Sequence, residues 1–347
     1  MKELIKRLSE EFGPSGYEDR VKELIRNEIT PYLPEGAEVV EDSFGSLLVH
    51  IPNESKPRLM VSAHMDEVGF MVTGITEKGN LRFGCVGGMD PLILGGKRVI
   101  SEDGIVGGIM TQPIHLLSPE QRKKRTEVHE MYIDIGATDK ADAEKYVHVG
   151  DYFAFISDFR DLGDGYIKCK ALDDRFGCAI MCEMIKELHN TGKESAFDLW
   201  FAFTGREEVG FSGARGAAER IKPNYAFVIE SKAVQDTYGV PAEKKVCILG
   251  DGAIISFMDN STIYDKGFMN YLISICKKHD IKYQLNKYIS GGNDSSHIQR
   301  SVGGVKVGLI SAASRYIHSQ SDVVKYEDLE AMRSIAIALV TDENPVI

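Results

Sequence analysis

The chain has 347 residues, 43% of them apolar and 27% charged, with a net charge of -11, a balance that suits a globular protein with one large α/β domain and a smaller one. So acidic a chain lacks the electrostatic footprint of a nucleic-acid binder, and no apolar run is long enough to cross a bilayer. The opening MKELIKRLSEEF is amphipathic and charged, without the apolar block of a secretory signal, so the expected location is cytoplasmic.

Residues 2–12 read as a helix that stops at Gly13-Pro14. Ser15 and Glu18 have the spacing of a capping box, which would open a second helix running to about Tyr32. Residues 37–51 alternate like a hairpin around Phe44-Gly45. RLMVSAHM, residues 58–65, is a buried strand with His64 and Asp66 at its far end. From 67 to 163 the texture changes to short strands punctuated by glycine, with one helix after Thr138. That contrast describes a mostly β module inserted into an α/β domain made of residues 1–66 and 164–347. The basic run Arg122-Lys123-Lys124-Arg125 within it reads as an exposed loop, because no aromatic residues interleave it.

The α/β texture resumes with ALDDRFG and a helix over 175–189, where Cys178 and Cys182 share one apolar side. All six cysteines lie in apolar segments, so packing is expected rather than a disulfide framework. A strand over 196–203 is followed at once by Gly205, Arg206 and the adjacent carboxylates Glu207 and Glu208. Neighbouring side chains of an extended segment point to opposite sides, so one Glu can hold a metal while the other faces an attacking water. Acidic residues at a helix start also suit its dipole without any catalytic role. A helix over 211–219, a strand over 225–229 ending at Glu230, a helix over 267–279, and strands over 283–288 and 305–311 follow. The loop RYIHSQSD carries His318, and a helix over 326–341 closes the chain.

His64, Asp173, Glu208, Glu230 and His318 all fall at or near predicted strand or helix ends. In an open α/β sheet, sites gather at the carboxyl ends of strands, so these stretches can converge. Two histidines and three carboxylates suit two divalent ions (Zn, Co or Mn) that share a bridging carboxylate. Ions ~3.5–4 Å apart serve aminopeptidase chemistry in this way. Asp66 lies two residues beyond His64, on the same face of an extended chain, where it can accept the imidazole's other N–H.

The motifs AHMDEVGF, ALDDRFG, REEVGFSGARGA, the strand-ending Glu230, GGNDSS and RYIHSQSD together resemble those of the dinuclear-metal aminopeptidases of the tetrahedral (TET) type. Members of that family carry the names glutamyl or deblocking aminopeptidase and, in some cases, endoglucanase. The resemblance implies a mixed-sheet, zinc-peptidase-like catalytic domain with a PDZ-like dimerisation domain at 67–163. It makes His64 a ligand of one metal and His318 of the other, with Asp173 bridging. Glu208 would complete the His318 site and Glu230 the His64 site. Glu207 would be the general base and Asp66 would orient His64. A cis peptide is implied at Asp173-Asp174, and Glu230 stands where several relatives have Asp.

The implied reaction is hydrolysis of N-terminal residues from short peptides, by dimers assembled into a dodecamer with inward-facing sites. No nucleic-acid or membrane partner is expected. A related metal-dependent acylase, deacetylase or carboxypeptidase would use the same cluster. A glucanase would need carboxyls ~5–5.5 Å apart or more across a sugar, which adjacent carboxylates pointing apart do not supply. Side-chain specificity is expected from residues 291–294 and 311–316, where Arg315 is either a contact for acidic substrates or half of a structural ion pair.

Overall fold

On the strand Arg58–His64, every side chain from Leu59 to His64 is buried. Successive side chains alternate between the faces of a sheet, so both faces here must be covered. The computed structural model, which describes every residue except Gln235 and Val346, has that arrangement. Asp198–Thr204, Arg58–His64, Tyr225–Ala233 and Lys306–Arg315 lie side by side and run parallel. Antiparallel strands flank them. Leu47–Ile51 and Glu38–Glu41 extend one edge; Asp322–Lys325, Tyr166–Cys169 and Arg160–Leu162 extend the other. Ala253–Ile255 also pairs with Lys306–Arg315 and carries Tyr283–Leu285.

The helix Leu172–Thr191 packs on Arg58–His64 and Tyr225–Ala233, beside Tyr326–Thr341, Lys2–Glu10 and Asp19–Ile29. It buries Phe176, Ile180, Met181, Met184, Ile185 and both of its cysteines. Each such large apolar side chain contributes about 1.5–3 kcal/mol on leaving water. Ser212–Ile221 and Ser295–Gln299 pack together over the central strands. No helix among the described residues is long and apolar enough to cross a membrane.

Gly69–Ile75, Leu81–Val86, Tyr132–Asp134, Val106–Met110, Arg98–Ser101 and Tyr152–Phe155 close into an antiparallel barrel. Closure removes exposed strand edges. Phe70, Val72, Leu81, Val99, Ile109, Ile133, Phe153 and Phe155 fill a core of its own.

Two sequence expectations are corrected. Arg160–Leu162, placed in the insert by its texture, pairs with Tyr166–Cys169 in the large sheet. Three exposed residues beside Gly163 and Gly165 look like one more barrel strand, and only pairing assigns them. The capping box is also absent: the second helix starts at Asp19 with no side-chain cap. Ser15 and Glu18 turn instead toward the sheet's carboxyl edge.

Candidate metal centre

Parallel strands end together. His64 pairs in register with Thr204, and Val228 pairs with Ser62, so Glu230 comes level with His64 two residues later. Asp173 enters from the start of the helix Leu172–Thr191, through a cis peptide bond to Asp174. Its backbone N–H donates to Asp322 at 3.2 Å. His318 follows the strand Lys306–Arg315.

These residues meet. Asp173 Oδ1 lies 3.3 Å from His64 Nε2, and its Oδ2 lies 3.4 Å from His318 Nε2. Glu230 Oε1 is 3.7 Å from His64 Nε2, and Glu208 Oε1 is 3.2 Å from His318 Nε2. Asp173 therefore presents one oxygen to each imidazole. His64, Asp174 and Glu230 also offer ligand atoms within 4.8 Å of one another; Asp174, adjacent to the predicted bridge, was not singled out from sequence.

The other nitrogen of each imidazole is occupied. His64 Nδ1 is 3.1 Å from the Asp66 carbonyl, and His318 Nδ1 is 2.6 Å from the Gly88 carbonyl. A carbonyl only accepts, so each Nδ1 donates, and a neutral ring then carries its lone pair at Nε2. Both lone pairs face carboxylates, which when ionised also only accept. A proton on each Nε2, making the rings imidazolium, resolves that mismatch, and so would a cation between them; the donor set of imidazole nitrogen and carboxylate oxygen suits a divalent ion of the Zn, Co or Mn kind.

Charge points the same way. Burial pushes the pKa values of Asp174, Glu207 and Glu230 well above the ordinary carboxylate range, with neighbouring carboxylates adding to the rise, and burial takes Asp294 up to about 7. Burial also opposes ionisation of Asp173, but hydrogen bonding to His318 and His64 overrides it and holds this carboxyl well below its usual range. Against the effect of burial, Asp173 and Glu208 raise His318 to about 11. Without a cation these buried acids hold protons; divalent cations would let them ionise and serve as ligands.

Asp66 does more than the sequence suggests. Its Oδ1 is 3.4 Å from His64 Nδ1, while the same carboxylate accepts the N–H of Glu207 at 3.0 Å, the N–H of Glu208 at 3.1 Å and the Ser15 hydroxyl at 2.6 Å. Glu18 accepts the N–H of Arg206 at 3.1 Å and of Gly16 at 2.7 Å. Two buried carboxylates thus grip three successive amides of the segment that presents Glu207 and Glu208. Arg206 sits at φ +60°. At Gly205 a Cβ would meet the Phe44 carbonyl at 3.0 Å and Glu18 Oε1 at 3.1 Å, so the close approach needs glycine. Capping-box spacing had hidden Ser15 and Glu18.

A cavity of about 680 Å³ opens onto the cluster, lined in part by Asp173, Glu207, Glu208, Glu230 and His318. Glu208 is engaged with His318. Among the described residues no hydrogen bond reaches the Glu207 carboxylate, which is left facing the cavity. Ser290, Gly291, Gly292, Asn293 and Ser311 supply parts of the wall. Arg315 instead forms a two-pronged pair with Asp236 at 2.6 and 2.8 Å, the structural alternative weighed for it.

The chain is similar to known proteins in both sequence and fold. The family model described as M42 glutamyl aminopeptidase matches residues 45–335. A protein of Acetivibrio thermocellus named as an aminopeptidase is 36% identical over 330 residues, 95% of each chain. The TET aminopeptidase of a marine-sediment Thaumarchaeota archaeon superposes with a TM-score of 0.93 at 33% identity, covering 98% of this chain and 95% of the other. A TET peptidase of Pyrococcus horikoshii, which can assemble into a tetrahedron or a large octahedral shell, has a TM-score of 0.86 at 36% identity, covering 98% and 99%. The chain belongs to the M42 glutamyl aminopeptidase family and is a peptide-bond hydrolase.

Proposed function

We propose that this aminopeptidase uses two divalent cations, held by His64, Asp173, Glu208, Glu230 and His318, to remove N-terminal residues from short peptides. The supporting observation is Asp173, whose two oxygens face two different imidazoles at 3.3 and 3.4 Å. A bridging carboxylate has that geometry. His64 with Glu230 forms one half of the cluster, and His318 with Glu208 the other. Cations bound there supply Lewis acidity that polarises the scissile carbonyl and eases loss of a proton from water.

Glu207 is the general base. Its carboxylate takes the proton of the attacking water and passes it to the leaving amine, a contribution of ~10²–10⁴-fold. The Asp66 and Glu18 grip fixes the backbone from which Glu207 projects, so the base keeps its aim through the reaction. Asp66 also holds His64, through its carbonyl and its carboxylate together.

The barrel is the self-association module, PDZ-like in role, and dimers formed through it build a dodecamer in the cytoplasm. Exposed apolar side chains on and beside it, Val106, Ile114 and Leu116, favour that reading, as does the assembly of the Pyrococcus relative. Inward-facing sites would then admit only short peptides.

The test is reconstitution of metal-free protein with Zn, Co or Mn, followed by assay on free-amine aminoacyl anilides, their N-acetylated counterparts and a cellulose oligomer. Turnover of the free-amine compounds alone is expected. Preference for the N-acetylated set would indicate an acylase or deacetylase, and turnover of the oligomer a glucanase.

A further inference from the structure

The chain crosses between the α/β body and the barrel twice, once between Arg58–His64 and Gly69–Ile75 and once between Tyr152–Phe155 and Arg160–Leu162. Lys170 holds both crossings. Its Nζ donates to Glu67 Oε1 at 2.7 Å in the first, and its backbone N–H donates to the Ser157 hydroxyl at 3.2 Å in the second. The same Nζ reaches the Glu11 carbonyl at 2.7 Å, and the Ser157 hydroxyl donates to the Gln320 carbonyl at 2.7 Å. Glu67 is pinned in turn by Arg175 at 3.5 Å and by the N–H of Gly13 at 3.2 Å. Lys170 is only 4% exposed. A buried ammonium is costly unless charge and hydrogen bonds compensate it, so these acceptors hold it in one place.

The barrel meets the metal centre through the turn after Leu81–Val86. Gly87, at φ +88°, comes so close that a Cβ there would lie 3.3 Å from the Cβ of Glu208. Gly88 presents its carbonyl to His318 Nδ1 at 2.6 Å. Both contacts fall on one half of the cluster, whereas His64 takes its Nδ1 contact from Asp66 in the α/β body. A void of about 10 Å³, room for one water, is bounded in part by Glu67, Phe155 and Lys170 on one side and by Asp173, Glu208 and His318 on the other. A shift in how the barrel sits would therefore move Gly88 off His318 and leave His64 undisturbed.

We propose that Lys170 is a positioning residue for the reaction: by clamping both crossings it seats the barrel so that Gly88 keeps His318 aimed at the cluster. This rests on the two-cation reading above. Lys170 lies three residues before Asp173, so the clamp is anchored on the segment that leads into the bridging carboxylate. Without the ammonium, Glu67 loses its nearest cation, the first crossing is freed and the contact between Gly88 and His318 loosens. The ion held by His318 and Glu208 then binds more weakly, while the ion held by His64 and Glu230 is kept. A purely structural role would lower the melting temperature and leave the ratio of the two affinities alone.

Metal-free wild type, Lys170→Met, Ser157→Ala and His318→Ala are titrated with Zn by calorimetry, and the crossings are followed by hydrogen exchange. Lys170→Met is expected to weaken one of the two ions by about 10- to 100-fold, the usual effect of losing a group that orients a ligand, with the other ion unmoved. Ser157→Ala removes no buried charge; it should weaken the same ion by less, and it decides the matter where Lys170→Met does not fold. Adding Lys170→Met to His318→Ala should cost the remaining ion nothing further, since both changes act on one site. Amides of residues 65–69 and 156–159 should exchange faster in Lys170→Met. Equal weakening of both ions, two unchanged affinities, or unchanged exchange at the crossings overturns the assignment. A wild type that binds a single ion overturns the two-cation reading and this one with it. A wild type that binds two ions yet hydrolyses no free-amine anilide overturns the aminopeptidase reading alone.

Discussion

The Gly88 carbonyl, just past the barrel strand Leu81–Val86, lies 2.6 Å from Nδ1 of His318 in the α/β body. The inserted module therefore fixes the tautomer of the His318 imidazole and does more than decorate the surface. His318→Ala removes that ligand, and metal analysis should find the content reduced by about one ion per chain, since a site stripped of its only imidazole binds poorly. Retention of both ions would take His318 out of the cluster.

Asp173 serves both halves, so its loss should be felt by both. In Asp173→Ala the two ions are expected to leave together, along with activity. Single-ion occupancy by calorimetric titration would show that Asp173 does not bridge.

Glu207 faces the cavity and holds no imidazole. Glu207→Gln should keep both ions while kcat drops by ~10²–10⁴-fold. Near-normal turnover in this variant would assign the base elsewhere.

Glu18 touches neither cavity nor cluster, yet it holds the Arg206 amide next to Glu207, the proposed base. Glu18→Ala leaves the part-buried N–H groups of Gly16 and Arg206 without this acceptor, a cost of about 1 kcal/mol in stability for each. A fall in kcat of about tenfold is expected for a slightly misplaced base, with KM and metal content held. Glu18→Gln retains an acceptor oxygen and should recover most of the loss. Equal damage in both variants would mean that charge, and not the amide grip, is what matters.

Chelation of the proposed cations would remove positive charge from the buried carboxylates. Metal-free protein should therefore melt at a lower temperature, and excess Zn, Co or Mn should restore it. An ion at 100 times its Kd contributes about 2.7 kcal/mol per site. An unchanged melting curve would show that the acids are reconciled without cations.

Much of this was local and therefore legible. The buried run 58–64 announced a central strand, and the apolar strand ends followed by His64, Glu208 and Glu230 announced a site, because strand burial and ligand chemistry are written in adjacent residues. Asp173 was legible as a candidate by its place just before a helix. What tertiary structure alone decided is who partners whom across the fold. Ser15 and Glu18 carry a local helix-capping signature, yet they spend their hydrogen bonds on Asp66 and Arg206. Asp66 was expected to serve His64 by its carboxylate, and its carbonyl makes the shorter contact. Gly88 supplies only a backbone oxygen, which no residue type encodes. Local patterns report which side chains avoid water; the destination of a backbone amide or carbonyl depends on chain path, and that emerges only when distant segments pack.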